Sequence, residues 1–297
     1  MIFINYYDEI KNELVNNEIT KKVKDYSKNR SDLTTYYNVG KLLSEAGKHY
    51  GEGIIKEYSK RLTNEFETKF GITLLKRIRQ FYIVIEKGAT MSHQLSWSHY
   101  CELLPVNSID KINYYIKITK EQNLSIRELR TKIKNNEYER LDESTKEKLK
   151  EKEKLKLPDL VKNPIQIKNT SGNNEISEKV LQKLILEDIP SFLDELGNGF
   201  TFVRNEYKIK IGDRYNYIDL LLFNYEFNCF VVVELKVSEL KKEHIGQIEF
   251  YMNYIDKNLK NINQNKTIGI IICKKENRYV IEYCSDDRIL AREYELI

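Results

Sequence analysis

The sequence predicts a helical N-terminal half joined to a C-terminal α/β domain with a mixed sheet. Three observations predict this. Apolar positions recur at helical spacing over residues 1 to about 145. From residue 200, short strand-like runs take over, at 200–211, 217–224, 229–236, 267–273 and 279–284. Between the third and fourth runs lies "SELKKEHIGQIEFYMNYIDKNL", long enough for a crossover helix.

In the N-terminal half, "IIKEYSKRLTNEF" places Ile54, Ile55, Tyr58, Leu62 and Phe66 at helical spacing, and Gly71 interrupts the pattern. The next segment, "ITLLKRIRQFYIVIEK", begins with Thr73 as an N-cap and carries Leu74, Leu75, Ile78, Phe81, Tyr82 and Ile85 on one side. Two helices with a short Gly-containing turn are compatible with a helix-turn-helix. Lys76, Arg77, Arg79 and Gln80 then sit near the start of the second helix, where such a motif meets nucleic acid. The plainer reading is a helical hairpin with a solvated basic face. "SWSHY" (96–100) has no acid or oxyanion arrangement beside it, so Trp97 and Tyr100 read as core or interface residues.

Residues 146–156 hold six lysines and three glutamates, and Pro158 and Pro164 follow. This is a charged helix end running into a linker. Polar "NTSGNNE" (169–175) is a loop by composition. The expected division is 1–157 for the helical domain, 158–172 for the linker and 173–297 for the α/β domain. In the latter, "ISEKVLQKLILEDIPSFLDELG" reads as helix stopping at Gly197.

Composition excludes several classes. With 41% hydrophobic and 32% charged residues, the chain is neither disordered nor a membrane protein. No apolar run approaches the ~20 residues of a membrane-spanning helix. The N-terminus lacks the basic and apolar regions of a secretory signal, so the cytoplasm is the expected location. Cys101, Cys229, Cys273 and Cys284 lie far apart, suggesting neither a zinc site nor a disulfide framework, and Cys229 and Cys273 fall in apolar runs as small buried hydrophobes. No phosphate-binding P-loop motif is present. A formal charge of +4 points only weakly to a polyanionic partner.

The informative stretch is "YNYIDLLLFNYEFNCFVVVELKV", residues 215–237. An unpaired charge is expensive in an apolar core, yet Asp219, Glu234 and Lys236 stand inside this one. The four residues "YEFN" suit a hairpin loop. Symmetric pairing sets Asn224 opposite Cys229 and Asp219 opposite Glu234, with both carboxylates on one face. Two carboxylates ~5 Å apart repel, which raises one pKa or calls for a cation. Two carboxylates and an ammonium suit an oxygen-preferring divalent ion such as Mg²⁺. A strand-end ion pair with Asp219 capping a turn is the structural alternative.

"YID" with "ELK" after it resembles the PD-(D/E)xK nuclease signature, with Tyr217–Ile218 in place of the leading proline. "FLDELGNGFTFVRNEYKI", "YIDLLLF", "FVVVELKV" and "GQIEFYMNYID" together resemble the C-terminal domain of the YhcG family. "YYNVGKLL", "YGEGIIKEYSKRLTNEF", "RIRQFY" and "LSWSHYCELL" resemble its helical N-terminal domain. The resemblance implies a PD-(D/E)xK restriction-endonuclease-like domain that hydrolyses phosphodiester bonds in DNA with Mg²⁺ or Mn²⁺. It implies Asp219, Glu234 and the Leu235 carbonyl as metal ligands, and Lys236 as the group that orients water and stabilises phosphate charge. Gln247 and Tyr251, on the following helix, would stand beside the site, and a glutamate from the domain's first helix would complete it. Glu187 is the choice for that glutamate, with Glu178 as the alternative. His244 is expected on the exposed side of its helix. By analogy two copies pair as a homodimer to cut two strands. Two rival classes are a nucleic-acid-binding module that no longer cuts, and a subunit of a larger repair or defence assembly that cuts only when recruited by partner proteins.

Overall fold

The computed structural model describes residues 6–23, 28–51, 53–66, 70–170, 172, 176–284 and 286–297. The chain forms two units, Met1–Tyr138 and Glu139–Ile297. Much of the polar loop expected at 169–175 lies outside the described residues.

The first unit is helical: α1 (Tyr6–Val23), α2 (Lys28–Tyr50), α3 (Ile54–Glu65), α4 (Ile72–Glu86), α5 (Trp97–Leu103), α6 (Ile109–Gln122) and α7 (Ile126–Lys134). Gly71 rather than Thr73 occupies the N-cap of α4. The apolar stripe read from the sequence is the buried one, since Leu75, Ile78 and Phe81 are fully enclosed. α4 packs chiefly along α2, and the reason is steric: a Cβ on Gly40 would stand 2.5 Å from the Ile78 carbonyl oxygen. In "SWSHY", Ser96 caps α5 and its N–H donates to His99 Nδ1 at 3.1 Å, while His99 Nε2 lies 3.1 Å from the Leu124 carbonyl. Trp97 packs edge-on against Phe81 and tilted against Tyr36, so this motif is structural.

The second unit contains α8 (Glu143–Glu151), α9 (Leu157–Leu160), β1 (Ile165–Ile167), α10 (Glu178–Glu187), α11 (Ile189–Leu196), β2 (Phe200–Ile211), β3 (Arg214–Asn224), β4 (Cys229–Glu239), α12 (Lys242–Asn258), β5 (Ile268–Lys275), α13 (Arg278–Glu282) and β6 (Ile289–Leu296). The sheet order is β1-β6-β5-β4-β3-β2. The first four strands run parallel, and β3 and β2 join antiparallel to their neighbours. The mixed sheet is therefore as expected, and α12 is the crossover between β4 and β5. Cys229 and Cys273 are buried in it.

Four expectations need correction. The stretch 158–172 is not a linker, because β1 within it adds to β6 and completes the sheet. The second unit also begins earlier than expected: Arg140 forms a buried ion pair with Glu195 and donates to the Pro164 carbonyl at 2.9 Å. Arg292 of β6 reaches Asp142 at 2.8 Å and the Val161 carbonyl at 3.1 Å. These bonds tie the charged segment to the sheet. The run 279–284 is not a strand but carries α13, capped by Asn277, and the last strand is Ile289–Leu296. The single helix expected before Gly197 is two, broken at Asp188, which caps α11 ahead of Pro190. Gly197 does end α11, at φ 111°.

Two cores sandwich the sheet. Leu220, Leu222, Val231, Val233 and Leu235 face α10 and α11. Leu221, Val232, Ile271 and Cys273 face Ile248, Tyr251, Met252 and Ile255 of α12. Among the described residues, no helix is long and apolar enough to cross a membrane.

Candidate active site

The hairpin register holds as far as the strands pair. Asn224 faces Cys229, and the ladder continues to Leu220 and Val233. One step further, where Asp219 and Glu234 would meet, β3 leaves β4. The departure is visible in the burial pattern: Ile218 lies in the α12-side core and Leu220 in the α10-side core. Strict alternation would put both on one face. The break therefore falls at Asp219. In β2, Glu206 falls between the pairs Asn205–Leu220 and Tyr207–Ile218, and takes φ 46°, a left-handed backbone rare outside glycine.

This fork seats the charges. Asp219 does not stand squarely across from Glu234; its Oδ2 accepts the Leu235 N–H at 2.8 Å. An extended residue presents its N–H and C=O to the same edge, so the Leu235 carbonyl opens into the same fork. Glu234 and Lys236 alternate onto the α12-facing side and are both buried, Glu234 to 2% exposure. Lys236 Nζ donates to Glu234 Oε1 at 2.8 Å and lies 3.9 Å from Glu178 Oε2, at the start of α10. Gln182, one turn further on, donates to the Asp219 carbonyl at 3.1 Å.

The electrostatics are those of a site under tension. Burial, and then the charge of Asp219, push the Glu234 carboxyl up to about 7 despite the adjacent ammonium. Burial also raises Asp219, against the Leu235 N–H and Lys236. Burial alone would lower Lys236, but the Glu234 carboxylate, with Glu178 and Asp219 behind it, holds its pKa above the usual lysine value. Glu234 Oε2 is buried with no hydrogen-bond partner. An orphaned carboxylate oxygen beside a second carboxylate is a donor set that fits a hard divalent cation.

Other expected residues divide. Gln247 and Tyr251 lie on α12, joined by a 3.2 Å bond from Gln247 Nε2 to the Tyr251 hydroxyl. Burial raises the Tyr251 pKa, and the charges of Glu234 and Asp219 add to it. Glu187 does not join them. It stands at the far end of α10, nine residues beyond Glu178 or ~13 Å along the axis, and accepts from Thr170 Oγ1 at 2.8 Å. Glu178 takes the place expected for it. His244 is half-buried rather than on an exposed face, its Nδ1 accepting the Lys241 N–H at 3.2 Å. Burial lowers its pKa, and so does the charge of Lys236.

In the first unit, Lys76 and Arg77 are exposed, as a nucleic-acid contact requires. Gln80 instead donates to the Leu104 carbonyl at 2.7 Å, and Arg79 is half-buried. Of the 146–156 lysines, Lys146 pairs with Glu143 and Lys148 with Asp159, each at 2.7 Å. Glu206 escaped sequence reasoning: its charge reaches Asp219 and raises that pKa, but only the left-handed turn of the backbone brings it there.

A mixed sheet flanked by helices, with Asp, Glu and Lys gathered where two central strands part, defines a PD-(D/E)xK nuclease domain. Residues 158–297 match the YhcG PDDEXK nuclease domain, and residues 9–140 match the DUF1016 N-terminal domain. The chain thus carries a YhcG PDDEXK nuclease domain C-terminal to a DUF1016 N-terminal domain. The Escherichia coli (strain K12) protein named "Putative nuclease YhcG" is 26% identical over 330 residues, spanning 95% of this chain and 88% of that protein. A repair endonuclease from Pyrococcus abyssi is 18% identical over 43% of this chain and 49% of its own, with a TM-score of 0.29. The structure described as an EndoMS–dsDNA2 complex gives 18%, 43%, 49% and 0.32. The chain thus spans about half the length of these solved structures.

Proposed function

We propose that this nuclease is a divalent-cation-dependent endodeoxyribonuclease, acting in the cytoplasm in DNA repair, recombination or defence against foreign DNA. One observation carries the reading: Glu234 is buried beside Asp219 with one carboxylate oxygen left without a partner, and burial with the charge of Asp219 pushes its carboxyl up to about 7. A structural ion pair would have no use for a second carboxylate there. Asp219, Glu234 and the Leu235 carbonyl would hold the cation. Bound there, Mg²⁺ or Mn²⁺ would polarise the phosphoryl oxygen and acidify water.

The chain's own groups supply the rest. Lys236, its ammonium held between Glu234 and Glu178, would orient the attacking water and stabilise charge on the phosphate. Glu178 keeps that ammonium at the site. Gln247 and Tyr251 line the α12 side with neutral hydrogen-bonding groups, which adds no further negative charge against a phosphodiester. Lys76 and Arg77 offer phosphate contacts in the helical unit, and pairing of two copies would allow both strands to be cut.

The test incubates purified protein with plasmid and branched DNA plus Mg²⁺ or Mn²⁺, beside Glu234→Gln and Lys236→Ala. Cleavage by the wild-type chain, lost in both variants with folding intact, is the expected result. Equal cleavage by all three would sink the site assignment.

A further inference from the structure

β3 pairs with β2 from Arg214 to Asn224, but with β4 only from Leu220 to Asn224. The segment Tyr207–Ile218 is thus a two-stranded ribbon running on beyond the fork that holds Asp219. Its two faces differ. Ile209 and Ile218 are fully buried in the α12-side core. On the opposite face stand two cross-strand pairs, Lys208–Tyr217 and Lys210–Tyr215, with the tyrosines 51% and 52% exposed.

The lysines of this face are held rather than loose. Lys208 Nζ sits 3.8 Å above the Tyr215 ring centroid, and Lys210 Nζ lies 6.0 Å from it. Such contacts restrain an ammonium while leaving its N–H groups toward solvent. Among the described residues neither lysine forms an ion pair, so both charges are uncompensated. Two tyrosine rings on a wet sheet face bury little, and packing gives no account of them. At a rise of ~3.3 Å per residue, the two pairs lie ~7 and ~13 Å along β3 from Asp219. Both ammonium groups gather at Tyr215, in the farther pair, about four nucleotides from the fork at ~3.4 Å per nucleotide.

We propose that this face of the ribbon contacts the backbone of the DNA substrate beyond the fork, with Lys208 and Lys210 on its phosphates and Tyr215 positioning both ammonium groups. The proposal rests on the nuclease reading of the fork and names where its substrate lies. Charge complementarity selects the occupant: a polyanion meeting two unpaired cations gathered at one exposed ring.

The test titrates labelled duplex DNA with the full chain in EDTA, where no cation supports cleavage. The Lys208→Gln/Lys210→Gln double variant should bind roughly ten- to a hundredfold more weakly at ~0.1 M salt. Its slope of log K against log salt should fall by about two, at ~0.9 per phosphate released. Tyr215→Leu should give a smaller loss in the same direction, and melting curves confirm that the exposed changes leave the fold intact. Affinity and slope equal to wild type would overturn the proposal. Hydrolysis of thymidine 5′-p-nitrophenyl phosphate, too short to reach the ribbon, separates the two readings: it should be unchanged in the double variant and lost in Glu234→Gln. If the wild-type chain hydrolyses no substrate with Mg²⁺ or Mn²⁺, the nuclease reading fails by that readout, and the titration still decides the ribbon.

Discussion

Replacing Glu234 by glutamine should make the metal-free chain more stable at alkaline pH. The Glu234 carboxyl lies at about 7 in the fold against an ordinary 4.5. At ~1.4 kcal/mol per pKa unit, ionising it in place costs about 3 kcal/mol more than ionising it in the unfolded chain. The fold favours the protonated form of a group whose pKa is raised. Its stabilising contribution is therefore complete below 4.5 and lost as pH rises through about 7. Glutamine keeps the volume, cannot ionise, and still accepts from Lys236 Nζ. At pH 8 the variant should exceed wild type by about 3 kcal/mol, or roughly 6–12 °C in melting temperature for a unit of this size. At pH 4.5 the two should nearly coincide.

The measurement is a pair of thermal melts in EDTA at pH 4.5 and pH 8, repeated with Mg²⁺. Mg²⁺ should raise the wild-type midpoint at pH 8 and leave the variant unmoved, because the charge that strains the fold is the charge that binds the ion. If the variant is less stable than wild type at pH 8 without metal, Glu234 and Lys236 form a net favourable structural pair. The physical basis for the site would then be gone.

Three further outcomes test other parts of the structure. Gly40→Ala should destabilise the helical unit by about 1–3 kcal/mol in urea melts, since its Cβ would stand 2.5 Å from the Ile78 oxygen and 2.7 Å from Tyr82 Cβ. Glu195→Ala removes the carboxylate that faces buried Arg140 and should cost about 3–5 kcal/mol; since that pair joins residue 140 to α11, a fragment 139–297 should have a higher melting midpoint than 158–297. Glu178→Gln should depress plasmid cleavage at least tenfold while Glu187→Gln leaves it unchanged, a ranking that reversed rates would refute.

The fold was legible where one physical signal dominated. Apolar stripes placed α3 and α4, and the loop length set the β3–β4 register without help from packing. It was illegible where tertiary contacts overrode local pattern. β1 is only the three residues "IQI", and it becomes a strand because β6 offers an open edge. β6 itself, "ILAREYEL", mixes charged and apolar residues because Arg292 is buried to bond Asp142 and the Val161 carbonyl. "RYVIE" has β-forming residues but packs as a short helix, with Tyr279 left 74% exposed.

At the site the sequence supplied the identities and the structure supplied the reason for their arrangement. Regular pairing would have set Asp219 and Glu234 face to face, and such a pair is repulsive with nothing between. The strand instead breaks alternation at Asp219, turns the carboxylate to the Leu235 N–H, and opens a gap between β3 and β4. A single residue thereby ends the ladder, starts the ribbon and provides a carboxylate to the fork. The left-handed Glu206 opposite is what lets β2 follow the turn. The residue at 219 must therefore satisfy backbone geometry as well as chemistry. Asparagine there should preserve the Leu235 bond and the fold, and remove one of the two charges on which the proposed cation binding depends.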